Sequence, residues 1–168
     1  MSAATLTRDD VFAILDEVKD PEVPVLSVVE LGIVREVALD GAAVTVTITP
    51  TYSGCPAMRV IEEEITAALE ARGASRVLIA TVYAPAWTTD WMSAGAKEKL
   101  RAYGIAPPGR TEGDSLVMLT RAPAVERTPC PYCGSVKTEM RSEFGSTACK
   151  AIWYCRGCEQ PFEAFKAL

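Results

Sequence analysis

Histidine and asparagine are both absent from this sequence of 168 residues. Imidazole is the general base of most nucleophilic triads and a frequent ligand of haem iron and catalytic zinc. Without it, the chain cannot form a Ser-His-Asp triad, a Cys-His-Asn protease site, a His-ligated haem site or a zinc site that contains histidine. These classes of protein are therefore excluded for a single copy of the chain.

Positive charge and long hydrophobic runs are also scarce. Lys and Arg total 17 against 22 Asp and Glu, and the formal net charge is −5, which is unfavourable for a protein that binds nucleic acid through its phosphates. No apolar stretch approaches the roughly 20 residues that a membrane-spanning helix needs. The first residues lack the basic start and apolar run of a secretory signal. We therefore expect a soluble, cytoplasmic protein with reduced cysteines that binds neither nucleic acid nor membrane.

Three helices are predicted in the first hundred residues. Thr7 and Asp10 are placed as a capping box that begins the first helix, which we expect to continue to Pro21. Residues 56–73 predict a second helix, with proline at its start and glycine at its end. Residues 93–103 predict a third.

Three strands alternate with these helices. Residues 33–39 and 44–49 predict a β-hairpin around an Asp40-Gly41 turn. Residues 76–83 predict a strand parallel to residues 44–49, because a helical crossover joins the two. The order is α-β-β-α-β-α, and the predicted fold class is α/β (α+β), a small domain with helices packed on a short mixed sheet.

The rest of the chain predicts a linker and a second, much smaller domain. Residues 105–128 contain several breakers, including Pro107-Pro108-Gly109, although residues 116–121 could form a strand. Five of the six cysteines follow, and residues 136–144 and 147–154 predict a hairpin. The predicted domains are 1–104, a linker at 105–128, and 129–168.

A metal site is the strongest prediction from the cysteines of the second domain. They form two Cys-x-x-Cys pairs, separated by 21 residues, that a hairpin would bring together: Cys130, Cys133, Cys155 and Cys158. About 40 residues bury too little apolar surface to fold alone, whereas a structural zinc ion contributes on the order of 10 kcal/mol. We therefore predict a four-cysteine zinc ribbon. Zinc is preferred to iron in such closed sites, and the alternative is a pair of unrelated thiol motifs or a redox dithiol.

The fifth cysteine of this domain, Cys149, is either a small buried residue or a substitute ligand. Residues 129–168 carry five basic and four acidic side chains, a net charge of +1. That charge is too small for a phosphate-binding groove, so a structural or protein-docking ribbon is preferred.

A single cysteine of the first domain, Cys55, follows Gly54 and precedes Pro56 at the start of the second helix. Unpaired N–H groups and the helix dipole should favour the thiolate form of Cys55, which could capture a metal ion. Alternatively, the residue could simply fill space at the helix start. Asp20 and Glu22 flank a proline and could simply end the first helix. Trp87 and Trp91, one helical turn apart, are expected in the core or against a partner.

Several of these motifs resemble the small domain of SufT-type iron-sulfur assembly proteins, over about residues 7–104. The resemblance rests on Asp20-Pro21-Glu22-Val23-Pro24-Val25, on Leu31-Gly32-Ile33-Val34, and on Thr49-Pro50-Thr51-Tyr52-Ser53-Gly54-Cys55-Pro56. Two further segments resemble, more narrowly, the PaaD (PaaJ) branch of bacterial phenylacetate degradation. They are Pro85-Ala86-Trp87-Thr88-Thr89-Asp90-Trp91 and Phe144-Gly145-Ser146-Thr147-Ala148-Cys149-Lys150-Ala151.

The resemblance implies a helper of a multicomponent phenylacetyl-CoA epoxidase, which contains a di-iron oxygenase and a flavin and iron-sulfur reductase. The family cysteine corresponds to Cys55, and its acidic motif to Asp20 and Glu22. This implies transient iron or an iron-sulfur cluster at Cys55, with a second thiolate from a symmetry-related chain in a homodimer or from the client component. The chain itself lacks the Glu-x-x-His motifs of the oxygenase and the nucleotide-binding glycine loops of a reductase or ATPase.

Two other functions stay open from the sequence. The chain could be a non-catalytic structural subunit of the epoxidase, in which the first domain, with nine basic and 15 acidic residues in 1–104, docks the oxygenase or the reductase. It could also be an independent thiol enzyme that uses Cys55, although no histidine is present to act as its base.

Overall fold

The computed structural model of the chain describes residues 6–109 and 128–167. The chain divides into two compact units, Met1–Trp87 with Trp91–Ala96, and Thr88–Asp90 with Lys97–Leu168. The domain boundaries given above stay predictions, and the strand considered at residues 116–121 lies outside the described residues. None of the described helices combines the length and the hydrophobicity that crossing a bilayer requires.

The first helix, α1 (Arg8–Leu15), begins with the predicted capping box. The Asp10 amide donates to the Thr7 hydroxyl at 3.2 Å, and the Thr7 amide donates to the Asp10 carboxylate at 2.9 Å. These bonds satisfy two backbone N–H groups that a helix start leaves without partners.

The predicted continuation of this helix to Pro21 is wrong, because α1 ends at Leu15. The amides of Glu17 and Val18 donate to carbonyls three residues earlier, as in a tightened last turn. The Val18 carbonyl then accepts the Val28 amide at 3.0 Å. A tertiary hydrogen bond therefore replaces the next helical turn.

The first sheet has the predicted topology. Strands β1 (Val34–Asp40) and β2 (Ala43–Ile48) are antiparallel, and β3 (Arg76–Thr81) is parallel to β2. Helix α2 (Ala57–Ala71) forms the crossover, and the strand order is β1-β2-β3. Alternation along β2 places these residues in the core: Val44, Val46 and Ile48.

The core of the first unit forms between this sheet face and the helices. The predicted stripe of α2 is buried, and it comprises Met58, Ile61, Ile65 and Leu69. The buried side of α1 adds Val11, Ile14 and Leu15. Both sets recur every three or four residues, as helix faces that cover a sheet must.

The two tryptophans after β3 hold a turn of the first unit. Trp87 is 5% exposed, and its indole N–H donates to the Leu31 carbonyl at 3.0 Å. Arg35 stacks its guanidinium 3.4 Å from the ring centroid of Trp91, a cation–π contact. Gly32 has φ +77°, and a Cβ added there would lie 2.8 Å from the Trp91 carbonyl oxygen. Trp91 is the last residue of a short 3-10 turn (Thr89–Trp91), and Trp87 precedes this turn. The two tryptophans therefore do not share an α-helix.

Helix α3 (Ala94–Ala102) corresponds to the third predicted helix. The Ala96 amide donates to the Ser93 hydroxyl at 3.0 Å, which caps its start. It is followed by β4 (Ile105–Ala106), the first strand of the second sheet.

The second sheet is the ribbon, with the strand order β4-β7-β6-β5. Strands β5 (Thr138–Ser142), β6 (Lys150–Cys155) and β7 (Pro161–Phe165) are antiparallel neighbours, and β4 is parallel to β7. Strand β7, whose first residue is a proline, was not predicted from the sequence. Pro161 is tolerated as the first residue of the strand, where the missing N–H is least costly.

A partly buried ion pair lies at the start of β6. Lys150 is 4% exposed, and its ammonium lies 3.1 Å from the Glu163 carboxylate. The Ser146 amide donates to the same carboxylate at 2.7 Å, and a Cβ on Gly145 would lie 2.8 Å from it. Glycine at this position therefore leaves room for the carboxylate.

We predict that Gly32→Ala destabilises the protein by about 3 kcal/mol, because the new methyl group would meet the Trp91 backbone at a positive φ. Gly73→Ala is the matched control, since Gly73 also has a positive φ but no atom within 4 Å of a Cβ. The control should cost only about 1 kcal/mol. Urea unfolding measures both values, and equal losses would contradict the proposed packing of Trp91 on the turn.

Candidate metal centres

Two similar turns place the four cysteines of the ribbon. In the first, the Gly134 amide donates to the Cys130 carbonyl at 2.9 Å, and Gly134 has φ +72°. In the second, the corresponding position is Glu159, with φ +59°, the one non-glycine residue with positive φ in the described part of the chain. The two Cys-x-x-Cys motifs thus fold alike, and Glu159 adopts a conformation that is costly for a side chain.

The sulfur atoms of the four cysteines all lie within 4.8 Å of one another. The Cys130 and Cys158 sulfurs are 3.7 Å apart, and those of Cys133 and Cys155 are 3.6 Å apart. Four thiolates about 2.3 Å from one tetrahedral zinc ion are about 3.8 Å from each other. The arrangement therefore fits a single tetrahedral ion, and none of the six cysteines forms a disulfide.

The thiols of this group do not all have the same pKa. Backbone N–H groups of Cys158 and Gly157 lower the pKa of Cys155 to about 6. Burial and the hydrogen bonds with the other thiols raise the pKa of Cys158 to about 12. The thiols share protons because four adjacent negative charges repel each other, so full ionisation requires a cation among them.

Cys149 lies outside this group of four. Its side chain is buried, and its sulfur lies 3.1 Å from the Thr147 hydroxyl oxygen. Its carbonyl accepts the Lys166 amide at 2.9 Å. Of the two interpretations of Cys149, this environment favours the small buried residue.

A second centre surrounds Cys55, in the loop that precedes α2. The Cys55 amide donates to the Tyr52 carbonyl at 3.3 Å, and the Cys55 carbonyl accepts the Met58 amide at 3.3 Å. Its side chain is half-buried. The backbone thus fixes this residue at the junction between loop and helix.

Asp20 and Glu22 lie on a turn that one carboxylate holds. Asp20 is 5% exposed and accepts hydrogen bonds from the amides of Glu22, at 2.7 Å, and Val23, at 3.0 Å. Because α1 has already ended at Leu15, these residues do not serve as its stop. The Asp20 carboxylate therefore shapes this turn, and Glu22 contributes its backbone amide.

The structure brings the acidic pair into electrostatic range of Cys55. Burial raises the pKa of the Cys55 thiol, and the charges of Glu22 and Asp20 raise it further. Hydrogen bonds from the Ala57 amide and the Tyr52 side chain oppose this shift without cancelling it. The expectation that the helix start favours a thiolate is therefore wrong for the chain without a metal ion. Tyr52, three residues before Cys55, was not identified as a neighbour of the thiol from the sequence.

Comparison with known proteins identifies both parts of the chain. Residues 8–82 match the family described as iron-sulfur cluster assembly protein, and residues 116–166 match the PaaD zinc beta ribbon domain. The chain therefore combines an iron-sulfur assembly fold with a metal-binding zinc ribbon. It is also 43% identical, over 95% of its own length and 92% of the relative, to an Escherichia coli protein named as a subunit of 1,2-phenylacetyl-CoA epoxidase. The chain belongs to this PaaD family, as the resemblance predicted.

Other relatives correspond to the first part only. An Fe-S protein maturation auxiliary factor of Porphyromonas gingivalis is 38% identical over 56% of this chain and 90% of the relative. Its counterpart in Bacillus subtilis is 35% identical over 54% and 89%. A conserved hypothetical protein from Thermotoga maritima has a TM-score of 0.51 and 32% identity, covering 60% of this chain and 98% of that structure. These matches confirm the predicted α+β class of the first part.

We predict that the purified chain holds about one zinc ion and that Cys133→Ser loses it. Cys133 is exposed, so the substitution removes a ligand without opening a cavity. Cys149→Ser is the matched control and should keep the metal ion. Elemental analysis measures the zinc content, and the amide NMR spectrum reports whether the ribbon changes with it. Retention of zinc by Cys133→Ser would contradict the assignment of the four ligands.

We predict that Glu22→Gln speeds alkylation of Cys55 by iodoacetamide about threefold at pH 8.5. The Glu22 charge raises the thiol pKa, so its removal lowers the pKa and increases the thiolate fraction at any pH below it. In the parent chain the rate should still be rising above pH 9. Mass spectrometry of the peptide that contains Cys55 follows the reaction, and Glu36→Gln is the control. Equal rates for the two variants would show that Glu22 does not act on the thiol.

Proposed function

We propose that this chain is an accessory protein that assists delivery of iron or an iron-sulfur cluster to the reductase or oxygenase component of phenylacetyl-CoA epoxidase. One observation supports this most directly: a half-buried thiol with two acidic neighbours lies in an iron-sulfur assembly fold that continues into a metal-binding ribbon. The identity to the Escherichia coli epoxidase relative extends along nearly the whole chain, so the relationship includes both parts. The pathway served would be aerobic phenylacetate catabolism.

The charges around Cys55 favour a thiol that stays protonated until a cation binds. Without metal, burial and the two carboxylates keep the sulfur protonated. An incoming iron ion is attracted by Asp20 and Glu22, and its charge displaces the thiol proton as the iron–sulfur bond forms. The negative charges of Asp20 and Glu22 thus raise the proton affinity of the Cys55 sulfur when no metal ion is bound. The same charges raise its affinity for a cation. Such a thiol is a poor nucleophile near neutral pH, which disfavours an independent thiol enzyme.

A single cysteine supplies only one of the ligands that iron or a cluster requires. We propose that the remaining thiolates come from a second copy of the chain, as a homodimer, or from the client component. Incomplete coordination on one chain would leave the cargo transferable, because the client can replace the missing ligands one at a time.

We propose that the ribbon holds its ion permanently. Four protein thiolates leave no open position on a tetrahedral ion, as in structural zinc sites, so the ribbon would act in folding and docking rather than in transfer. The six unbridged cysteines are consistent with a reducing compartment, and we place the protein in the cytoplasm.

A second candidate function is a non-catalytic subunit of the epoxidase. The name of the Escherichia coli relative, which calls that protein a subunit of the enzyme, specifically favours it. The two functions differ in persistence, since a subunit stays in the active complex whereas a maturation factor leaves its client.

We predict that Cys55→Ser reduces the iron and sulfide content of the client several-fold when the epoxidase components are produced together with this chain. The variant lacks the soft ligand for the cargo, whereas the Cys149→Ser control retains it. Iron and sulfide analysis of the purified components measures the effect, and zinc analysis of the variant establishes that its ribbon is intact.

The same preparations separate the two candidate functions. Epoxidase matured with the parent chain should continue to turn over after the chain is removed. Activity that disappears on removal, and returns when the Cys55→Ser chain is added back, would identify a structural subunit. Full growth on phenylacetate with Cys55→Ser as the only copy would contradict the delivery role.

A further inference from the structure

The third strand of the first sheet, β3, lies at an open edge. It pairs with β2 on one side, and within the described residues no strand pairs with its other side. Residues 77–83 contain no charged side chain, and Leu78 is 44% exposed. Edge strands of proteins that stay monomeric are usually protected by charges, prolines or bulges. β3 has one such charge, on Arg76 at its first residue, and the aliphatic residues that follow lack these protections.

The backbone direction of β3 identifies the groups at this edge. The Val82 amide, just after the strand, donates to the Ile48 carbonyl of β2 at 2.9 Å. Backbone groups of alternate residues point to opposite edges of a strand. Val77, Ile79 and Thr81 therefore direct their N–H and C=O groups away from β2, where an added strand could pair with them.

A groove with an acidic wall runs beside this edge. The wall is one face of α2, and the lining residues are Arg59, Glu62, Glu63, Thr66, Ala67, Glu70 and Ile79. Arg59 is engaged with Glu63 at 3.1 Å, and Glu62 accepts a hydrogen bond from Thr81 at 3.3 Å. Three carboxylates against one guanidinium leave the wall negative.

We propose that the open edge of β3 binds an extended segment of a partner protein in which basic and aliphatic residues alternate. Side chains of an added strand point alternately to the two faces of the sheet. On the inner face they would meet the glutamates of α2, and on the outer face they would lie beside Leu78. Lysine or arginine suits the first set of positions and valine or isoleucine the second.

Charge distinguishes this occupant from a second copy of the chain. If two β3 strands paired around a twofold axis perpendicular to the sheet, their α2 helices would lie on the same face, with Glu62, Glu63 and Glu70 of both copies opposed. Like charges placed opposite each other across an interface are unfavourable. A basic segment instead neutralises the wall.

The test uses a fluorescent nine-residue peptide of alternating lysine and valine, with a peptide of alternating glutamate and valine as its control. Anisotropy should show that the full chain binds only the lysine peptide, with affinity that falls as salt rises. Glu70→Lys and Leu78→Lys should each weaken binding about tenfold. Glu64→Lys is the matched control, because Glu64 is exposed on the same helix but does not line the groove. The lysine peptide should also shift the amide signals of Val77, Ile79 and Thr81.

Three results would overturn the proposal. They are no binding of the lysine peptide, equal weakening by Glu64→Lys and Glu70→Lys, and a dimer of the parent chain that Leu78→Lys converts to a monomer. The last would assign the edge to a second copy. Cys55→Ser should bind the peptide normally, so a failure of iron delivery and a failure of docking at β3 can be told apart.

Discussion

Four sulfur atoms that lie within 4.8 Å of one another cannot all be ionised unless a cation lies among them. The ribbon depends on this constraint, because its two Cys-x-x-Cys turns converge on one point while its own core is small. Among the described residues, the buried apolar cluster there contains two large side chains, Trp153 and Phe162. A tetrahedral ion replaces the apolar contacts that a larger domain would have. An ion bound by Cys155 and Cys158, just before Glu159, would stabilise the turn in which this residue has its positive φ.

The same physics acts differently at Cys55. One thiol and two carboxylates also favour a cation, but three of the four sulfur ligands of the ribbon have no counterpart on this part of the chain. In the function proposed above, the number of thiolates would separate a site that retains its ion from a site that can release it. The raised pKa of Cys55 would reinforce the difference, since a proton would compete with a metal ion for this sulfur. Retention and transfer would then follow from one chemical group used at two coordination numbers.

Local patterns in the sequence were sufficient for features that short segments determine. The capping box of Thr7, the stripe of α2 and the two cysteine pairs depend on residues a few positions apart, and the structure shows each of them. Features set by distant contacts were not predictable in this way. The early end of α1 depends on the hydrogen bond between Val18 and Val28. The pKa of Cys55 depends on burial and on carboxylates more than 30 residues earlier, neither of which the helix-start argument included.

The motifs that distinguish the PaaD branch support the backbone rather than add reactive groups. Trp87 and Trp91 fix the turn at Leu31 and Gly32, just before β1. In the ribbon, Gly145 and Lys150 enclose the Glu163 carboxylate. None of these side chains is among the groups that shift the pKa of Cys55. If the Cys55 thiol is shared with general iron-sulfur maturation factors, it cannot determine which client is bound. Specificity for one client then has to come from the surfaces of the protein. The edge of β3 in the first unit, together with the ribbon, would provide such surfaces without altering the chemistry of the thiol.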